Sequence, residues 1–156
     1  MTHEPELQTL EKTHYLYAHR SFPEGLPSVM PVFVQTVLDI RKFAAQNGVT
    51  DDGAAIVVIP DIAQVPLKLQ IGIIAQPEAA GICDHEVCFG NTPTCKAVII
   101  KHKGPLGLYA EPYRKIAAFI QANGLQKLTP AWEVILDPDV AGSGQNALTV
   151  IHTPVA

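Results

Sequence analysis

Residues 96–155 read KAVIIKHKGPLGLYAEPYRKIAAFIQANGLQKLTPAWEVILDPDVAGSGQNALTVIHTPV, and their punctuation decides the fold. KAVIIKHK has the length and β-branched content of a strand. GPLGLYAEP is a loop, because glycine and proline interrupt any regular pattern. In YRKIAAFIQANG, Ile116, Phe119 and Ile120 recur at helical spacing. Asn123-Gly124 then stops the helix, since glycine accepts the positive φ of a helix end. TPAWEVILDPD is a strand closed by Pro138, and ALTVIHTPV is the last strand.

The first half repeats this order. Leu16 and Ala18 alternate with Tyr15, Tyr17 and His19, which is strand periodicity, and SFPEGLPSVMP breaks it. A helix starts within residues 28–31, with Ser28 as its cap and Pro31 in its first turn. Met30, Phe33, Val37, Ile40 and Ala44 form its apolar stripe, and Asn47-Gly48 ends it. AAIVVIP and LKLQIGIIAQP are two further strands; in the second, Leu69, Ile71 and Ile73 share one face, opposite Gln70, Gly72 and Ile74. Residues 1–8 read as a loose start, and residues 76–95 as an irregular bridge with at most a short edge element. The expectation is an α+β fold of two pseudo-symmetric β-α-β-β units, residues 8–76 and 95–156, within one domain spanning 1–156. Neither unit alone can bury both its helix stripe and its sheet face, so the two share a core with a ligand cleft between them.

The 156 residues are 47% hydrophobic and 17% charged, enough for a sizeable core and against global disorder. A formal charge of −4 provides no basic excess for phosphates, so direct nucleic-acid binding is not expected. No stretch approaches about 18 uninterrupted apolar residues, and the acidic start MTHEPELQTLEK has no apolar signal core. A cytoplasmic protein that does not enter membranes is expected. Three cysteines within one short region do not form an extracellular disulfide framework. The low charge leaves room for a homodimer.

Glu133 stands out because it lies inside AWEVIL, an otherwise apolar strand. Alternation puts it with Ala131 and Ile135, and puts Trp132 with Val134 and Leu136. A buried carboxylate must be paired, hydrogen-bonded or neutral. As an anion it would hold a cation; with a raised pKa it would act as a base on water. Trp132, Tyr109, Tyr113, Phe33 and Phe119 supply the aromatic surface, the two phenylalanines at helix-stripe spacing. His19 and His102 stand near the ends of the first strands of the two halves, as candidates for opposite sides of the cleft, and His152 lies in the last strand. No serine-histidine-acid arrangement is recognisable. Cys83, His85, Cys88 and Cys95 could supply four ligands, but their spacing is irregular, so no metal site is expected, and no cofactor. Gly104-Pro105-Leu106-Gly107 lacks the spacing and lysine of a phosphate loop.

Several segments in the second half carry a resemblance: His102-Lys103-Gly104-Pro105, Tyr113-Arg114-Lys115-Ile116, Asn123-Gly124-Leu125, Pro130-Ala131-Trp132-Glu133-Val134, Asp137-Pro138 and Thr153-Pro154-Val155. In this order they resemble the GyrI-like small-molecule-binding family, the effector-binding domain of bacterial multidrug-responsive transcription regulators, with a SOUL-type fold. The match covers residues 97–155; the first half agrees in layout. The resemblance implies helices on one side of a curved antiparallel sheet and a cavity between the units. It implies binding of flat, hydrophobic or cationic aromatic small molecules, with Glu133 central and Tyr113 at the family's tyrosine position. Some stand-alone members are hydrolases of cyclopropane-containing natural products, which makes Glu133 and Tyr113 candidate catalytic residues. The ligand-binding candidates are Trp132, Glu133, Tyr109, Tyr113, His19, His102 and Phe33. Leu106 stands where the family has tyrosine after Gly-Pro, so that role is lost or moves to Tyr109. The chain has no N-terminal extension for a helix-turn-helix, so a stand-alone binder or hydrolase is expected. The alternative is a protein-interaction or regulatory module without catalysis.

Overall fold

Asn47-Gly48 and Asn123-Gly124 end the two helices, α1 (Val29–Gln46) and α2 (Ala110–Ala122), by the same device. Gly48 and Gly124 adopt φ of 72° and 62°. The Val49 and Leu125 N–H groups then donate back to Ala44 O and Ile120 O at 2.9 and 3.0 Å. The Asn47 and Asn123 side-chain amides donate to Phe43 O and Phe119 O, each at 2.8 Å. Carbonyls that a helix end leaves bare are thereby satisfied identically in both halves. The offset that carries Gly48 onto Gly124 also carries Phe43 onto Phe119 and Ala55 onto Ala131. The computed structural model describes residues 2–51, 53–104, 110–136 and 147–156.

The strands are β1 (Glu6–Leu10), β2 (His14–Phe22), β3 (Ala55–Ile59), β4 (Leu67–Ile74), β5 (Cys88–Asn91), β6 (Cys95–Gly104), β7 (Ala131–Leu136) and β8 (Ala147–Pro154). They form one curved, unclosed antiparallel sheet in the order β1-β6-β8-β7-β3-β4-β2-β5. The run β6-β8-β7 mirrors β2-β4-β3, so the two β-α-β-β units join edge to edge through β7 and β3. The α+β expectation of two pseudo-symmetric units holds.

Register assigns the faces. Ile100, Ile151, Glu133, Val57, Ile71 and Ala18 are paired in sequence across six strands and therefore share one face. Phe33, Val37, Ile40 and Ala44 of α1 pack on this face at the β2–β4 end, and Ile116 of α2 packs on Val98, Ile100 and Ile151 at the other. Both helices thus lie on one side. On the other side the sheet's curl buries Tyr15, Ile56, Val58 and Trp132 together.

Several local expectations change. Residues 6–10 are not loose but form edge strand β1 against β6; its largely exposed side chains leave no apolar alternation to read. Ser28 precedes α1 but makes no capping bond, because its hydroxyl donates to Gly25 O at 2.7 Å. Helix α2 starts at Ala110 rather than Tyr113, taking Pro112 into its first turn, where a missing N–H costs nothing. The bridge 76–95 holds a 3₁₀ turn, Pro77–Ile82, and the short edge strand β5.

Gly72 of β4 lies opposite Tyr17 of β2, and a Cβ built on it would sit 1.7 Å from Leu16 O. Only glycine permits this backbone approach. Gly72→Ala is expected to destabilise the fold by at least ~3 kcal/mol, measured as a lowered urea midpoint by circular dichroism; an unchanged midpoint would contradict the close approach.

Candidate functional site

Two helices on one face, anchored at opposite ends of the sheet, leave a space over the β3–β7 join. A cavity of about 750 Å³ occupies it. Val29, Met30 and Phe33 of α1 line one wall, and Ala110 and Tyr113 of α2 the other. Val57, Ile59, Ala131, Glu133 and Ile135 form the floor. Among the described residues the lining is apolar except for Glu133, the Tyr113 hydroxyl and Lys127, an exposed residue on the segment between α2 and β7.

Glu133 is 8% exposed and sits on a central strand, so its carboxyl has no sheet edge from which to reach water. The Tyr113 hydroxyl donates to Glu133 Oε2. Burial pushes the Glu133 pKa up from 4.5 to about 7, with the Tyr113 hydrogen bond pulling the other way. At neutral pH the group therefore divides between a carboxylate that can hold a cation and an acid that can give up a proton.

Of the residues singled out from sequence, the structure brings Glu133, Tyr113 and Phe33 together around this cavity. Trp132 does not line it. Side chains alternate across a strand, so Trp132 points to the opposite face, where it is 2% exposed and stacks on His152 with centroids 5.0 Å apart and planes at 9°. Nor do His19 and His102 flank the cleft. His19 is exposed on the Trp132 side of the sheet, edge-on to Tyr17 at 5.1 Å. His102 is on the helix side but far along β6, where its Nδ1 is 2.7 Å from Thr2 Oγ1 and burial lowers its pKa. The pairing makes Ala18 of β2 equivalent to Ile100 of β6, so His19 corresponds to Lys101 rather than His102, and the two histidines fall on opposite faces. Tyr109 lies outside the described residues, as do Leu106 and Asp137-Pro138. Phe119 packs in the α2 core, as its stripe position predicts. Among the described residues no three His, Cys, Asp or Glu side chains gather as a metal-holding group.

Sequence reasoning missed Val57, Ile59 and Lys127. The first two were legible in principle, because they alternate with residues on the other face of β3, but only the β3–β7 pairing sets them beside Glu133. Lys127 carries no sequence signal for its place at the cavity.

The raised carboxyl makes a signed prediction. Below pH 4.5 Glu133 is protonated whether the chain is folded or unfolded, and contributes nothing differential. Between 4.5 and about 7 the folded state keeps a proton that the unfolded state has released, so stability falls as pH rises, then levels off. The total is roughly 3 kcal/mol. Glu133→Gln lacks this loss, so its stability relative to wild type should grow by about that amount from pH 4.5 to 8. Paired urea titrations across this range measure the difference, and other titrating groups such as His152 cancel in it; a pH-independent difference would contradict the buried-carboxyl account.

No protein-family model matches the sequence, and no curated protein does. Solved structures match across nearly the whole chain. The EcmrR C-terminal domain is 14% identical with a TM-score of 0.76, covering 98% of this chain and 97% of that one. In the EcmrR–DNA complex the match spans only 57% of the EcmrR chain, at 15% identity and a TM-score of 0.72. SAV2435, solved bound to tetraphenylphosphonium, is 16% identical with a TM-score of 0.66, covering 99% of this chain and 94% of that one. A protein from Listeria innocua described as a hydrolase is 14% identical with a TM-score of 0.60, covering 98% and 92%. The chain has the fold of the EcmrR C-terminal domain and SAV2435, which is the fold its resemblance to the GyrI-like effector-binding domains implied.

Proposed function

We propose that this chain binds a hydrophobic, cationic aromatic small molecule in the cavity between α1 and α2, with Glu133 as the counter-ion. The observation that carries the reading is one buried carboxyl, held by Tyr113, in the floor of an apolar space of about 750 Å³. A space of that size suits a drug-sized molecule. In so apolar a setting one carboxylate attracts a cation strongly, while the surrounding apolar wall selects an aromatic body. SAV2435, bound to a lipophilic cation in the same fold, supports this reading. An interaction module would more naturally have a filled centre, so the open cavity favours ligand binding over that alternative.

Cation binding requires the ionised carboxyl, so the ligand must displace a proton below pH 7. Affinity for tetraphenylphosphonium is expected to rise up to about tenfold per pH unit through the range below 7 and to flatten above it. Glu133→Gln should abolish the pH dependence and weaken this cation, while leaving triphenylphosphine oxide, a neutral triaryl compound, nearly unaffected. Calorimetry at pH 6 and 8 on both proteins measures this; equal cation affinity in wild type and variant would remove Glu133 from the binding account.

A second reading, hydrolysis of an electrophilic cyclopropane-type compound, is favoured by one observation: a carboxyl with a pKa of about 7 beside a phenol has the acidity of a general base working near neutral pH. Glu133 would take a proton from the attacking water as the water oxygen bonds to a ring carbon. The ring C–C bond breaks, its electron pair passes into the substrate's conjugated acceptor, and that acceptor takes up the proton from Glu133, with Tyr113 fixing the carboxyl's orientation. Here Glu133→Gln should lower turnover ~10²–10⁴-fold without losing a neutral substrate, and Tyr113→Phe should lower it less. Product formation followed by mass spectrometry distinguishes the readings; binding without any product in wild type leaves the chain a binder.

A further inference from the structure

Cys83 and Cys88 flank a tight turn at the β5 edge of the sheet. The Asp84 backbone N–H donates to Val87 O at 3.1 Å. The Asp84 carboxylate accepts the Glu86 and Val87 N–H groups, both at 2.7 Å. These bonds hold residues 84 and 87 opposite each other, as at the end of a hairpin, so the next pair outward is Cys83 and Cys88. Cys83 is extended, with φ −63° and ψ 146°, and Cys88 opens β5. A pair just outside such a turn has Cα atoms roughly 4.5–5.5 Å apart, within the span a disulfide needs.

Tyr17 stands opposite Cys88 in the β2–β5 register, and burial, followed by Cys88 and Cys83, raises the pKa of its phenol. Cys83 is exposed and Cys88 half-buried. Cys95 is elsewhere, in β6 opposite Leu10 of β1.

We propose that Cys83 and Cys88 are a dithiol that closes to an intramolecular disulfide by exchange with a low-molecular-weight disulfide such as oxidised glutathione. Exposed Cys83, as the thiolate, attacks one sulfur of oxidised glutathione; the S–S bond breaks and one glutathione thiolate leaves. Cys88 then gives its proton to solvent and attacks the Cys83 sulfur, expelling the second glutathione thiolate, and both take up protons. Two protein thiols are oxidised and one glutathione disulfide is reduced. Burial raises the Cys83 pKa, with Cys88 and Asp84 adding to the effect. A thiolate held at so little advantage does little to stabilise the reduced form, so the closed disulfide resists reduction. The bond would pin a segment whose Ala79 and Val87 are buried against the α1 side of the core.

The test equilibrates the full chain with defined mixtures of reduced and oxidised glutathione, alkylates the remaining thiols, and cleaves after Glu86, between the two cysteines. Peptides carrying Cys83 and Cys88 should stay joined until reduced, with a loss of about two mass units and Cys95 alkylated throughout. Cys83→Ser and Cys88→Ser should each abolish the joined species, and Cys95→Ser should retain it. A stable glutathione adduct on Cys83 with Cys88 alkylated, a link through Cys95 or between chains, or thiols that stay reduced in excess oxidised glutathione would each overturn the proposal.

Discussion

Val57 of β3 faces Glu133 of β7 across the pairing that joins the two units, and most of the structure's consequences descend from that contact. Because the units meet strand to strand, their sheets merge, and each helix stays over its own half. Neither helix covers the seam. The seam becomes a floor, the flanks of α1 and α2 become walls, and the space between them stays open. Had the units met through their outer strands β2 and β6, each of these central strands would have been an edge. A carboxyl in β7 would then have had water beside it and an ordinary acidity.

Burial of that carboxyl is a cost to the fold's stability above the carboxyl's ordinary pKa. A neutral side chain of the same shape would sit in the floor with less penalty, since the desolvation that raises the Glu133 pKa opposes ionisation, and among the described residues the Tyr113 hydroxyl is what offsets it. His152, on the opposite face, shows the other solution. Burial pushes its pKa down to about 4, so it remains a neutral ring stacked on Trp132 throughout the physiological range. One buried titratable group is effectively silent near neutrality, while the other is balanced there.

The helices, their stops and the core strands were legible because their signals are local: an apolar stripe, an Asn-Gly pair, β-branched runs between prolines. The opposition of Trp132 and Glu133 also followed from alternation alone, although a role in the same site had been expected of both. Strand β1 was illegible because an edge strand with exposed faces holds its place by backbone pairing, which leaves little mark on side-chain choice. The histidines failed for another reason. Order in the chain suggests that His19 and His102 are equivalent, but the strand pairing matches His19 with Lys101, and a difference of one residue moves a side chain through the sheet. Lys127 and the cavity's volume depend on how distant elements pack, which no single stretch encodes.

The helix stops imply something further about what can occupy the cavity. The offset that carries Gly48 onto Gly124 carries Val57 onto Glu133 and Val37 onto Tyr113. Glu133 and Tyr113 therefore stand where the first half has valine, and Glu133 faces its own valine counterpart across the seam. The scaffold is two-fold, but its chemistry is not. An occupant that turned end over end about the pseudo-axis would exchange an acidic, hydrogen-bonding neighbour for a paraffin-like one. Even a symmetric molecule placed there would meet a chamber with a polarity of its own.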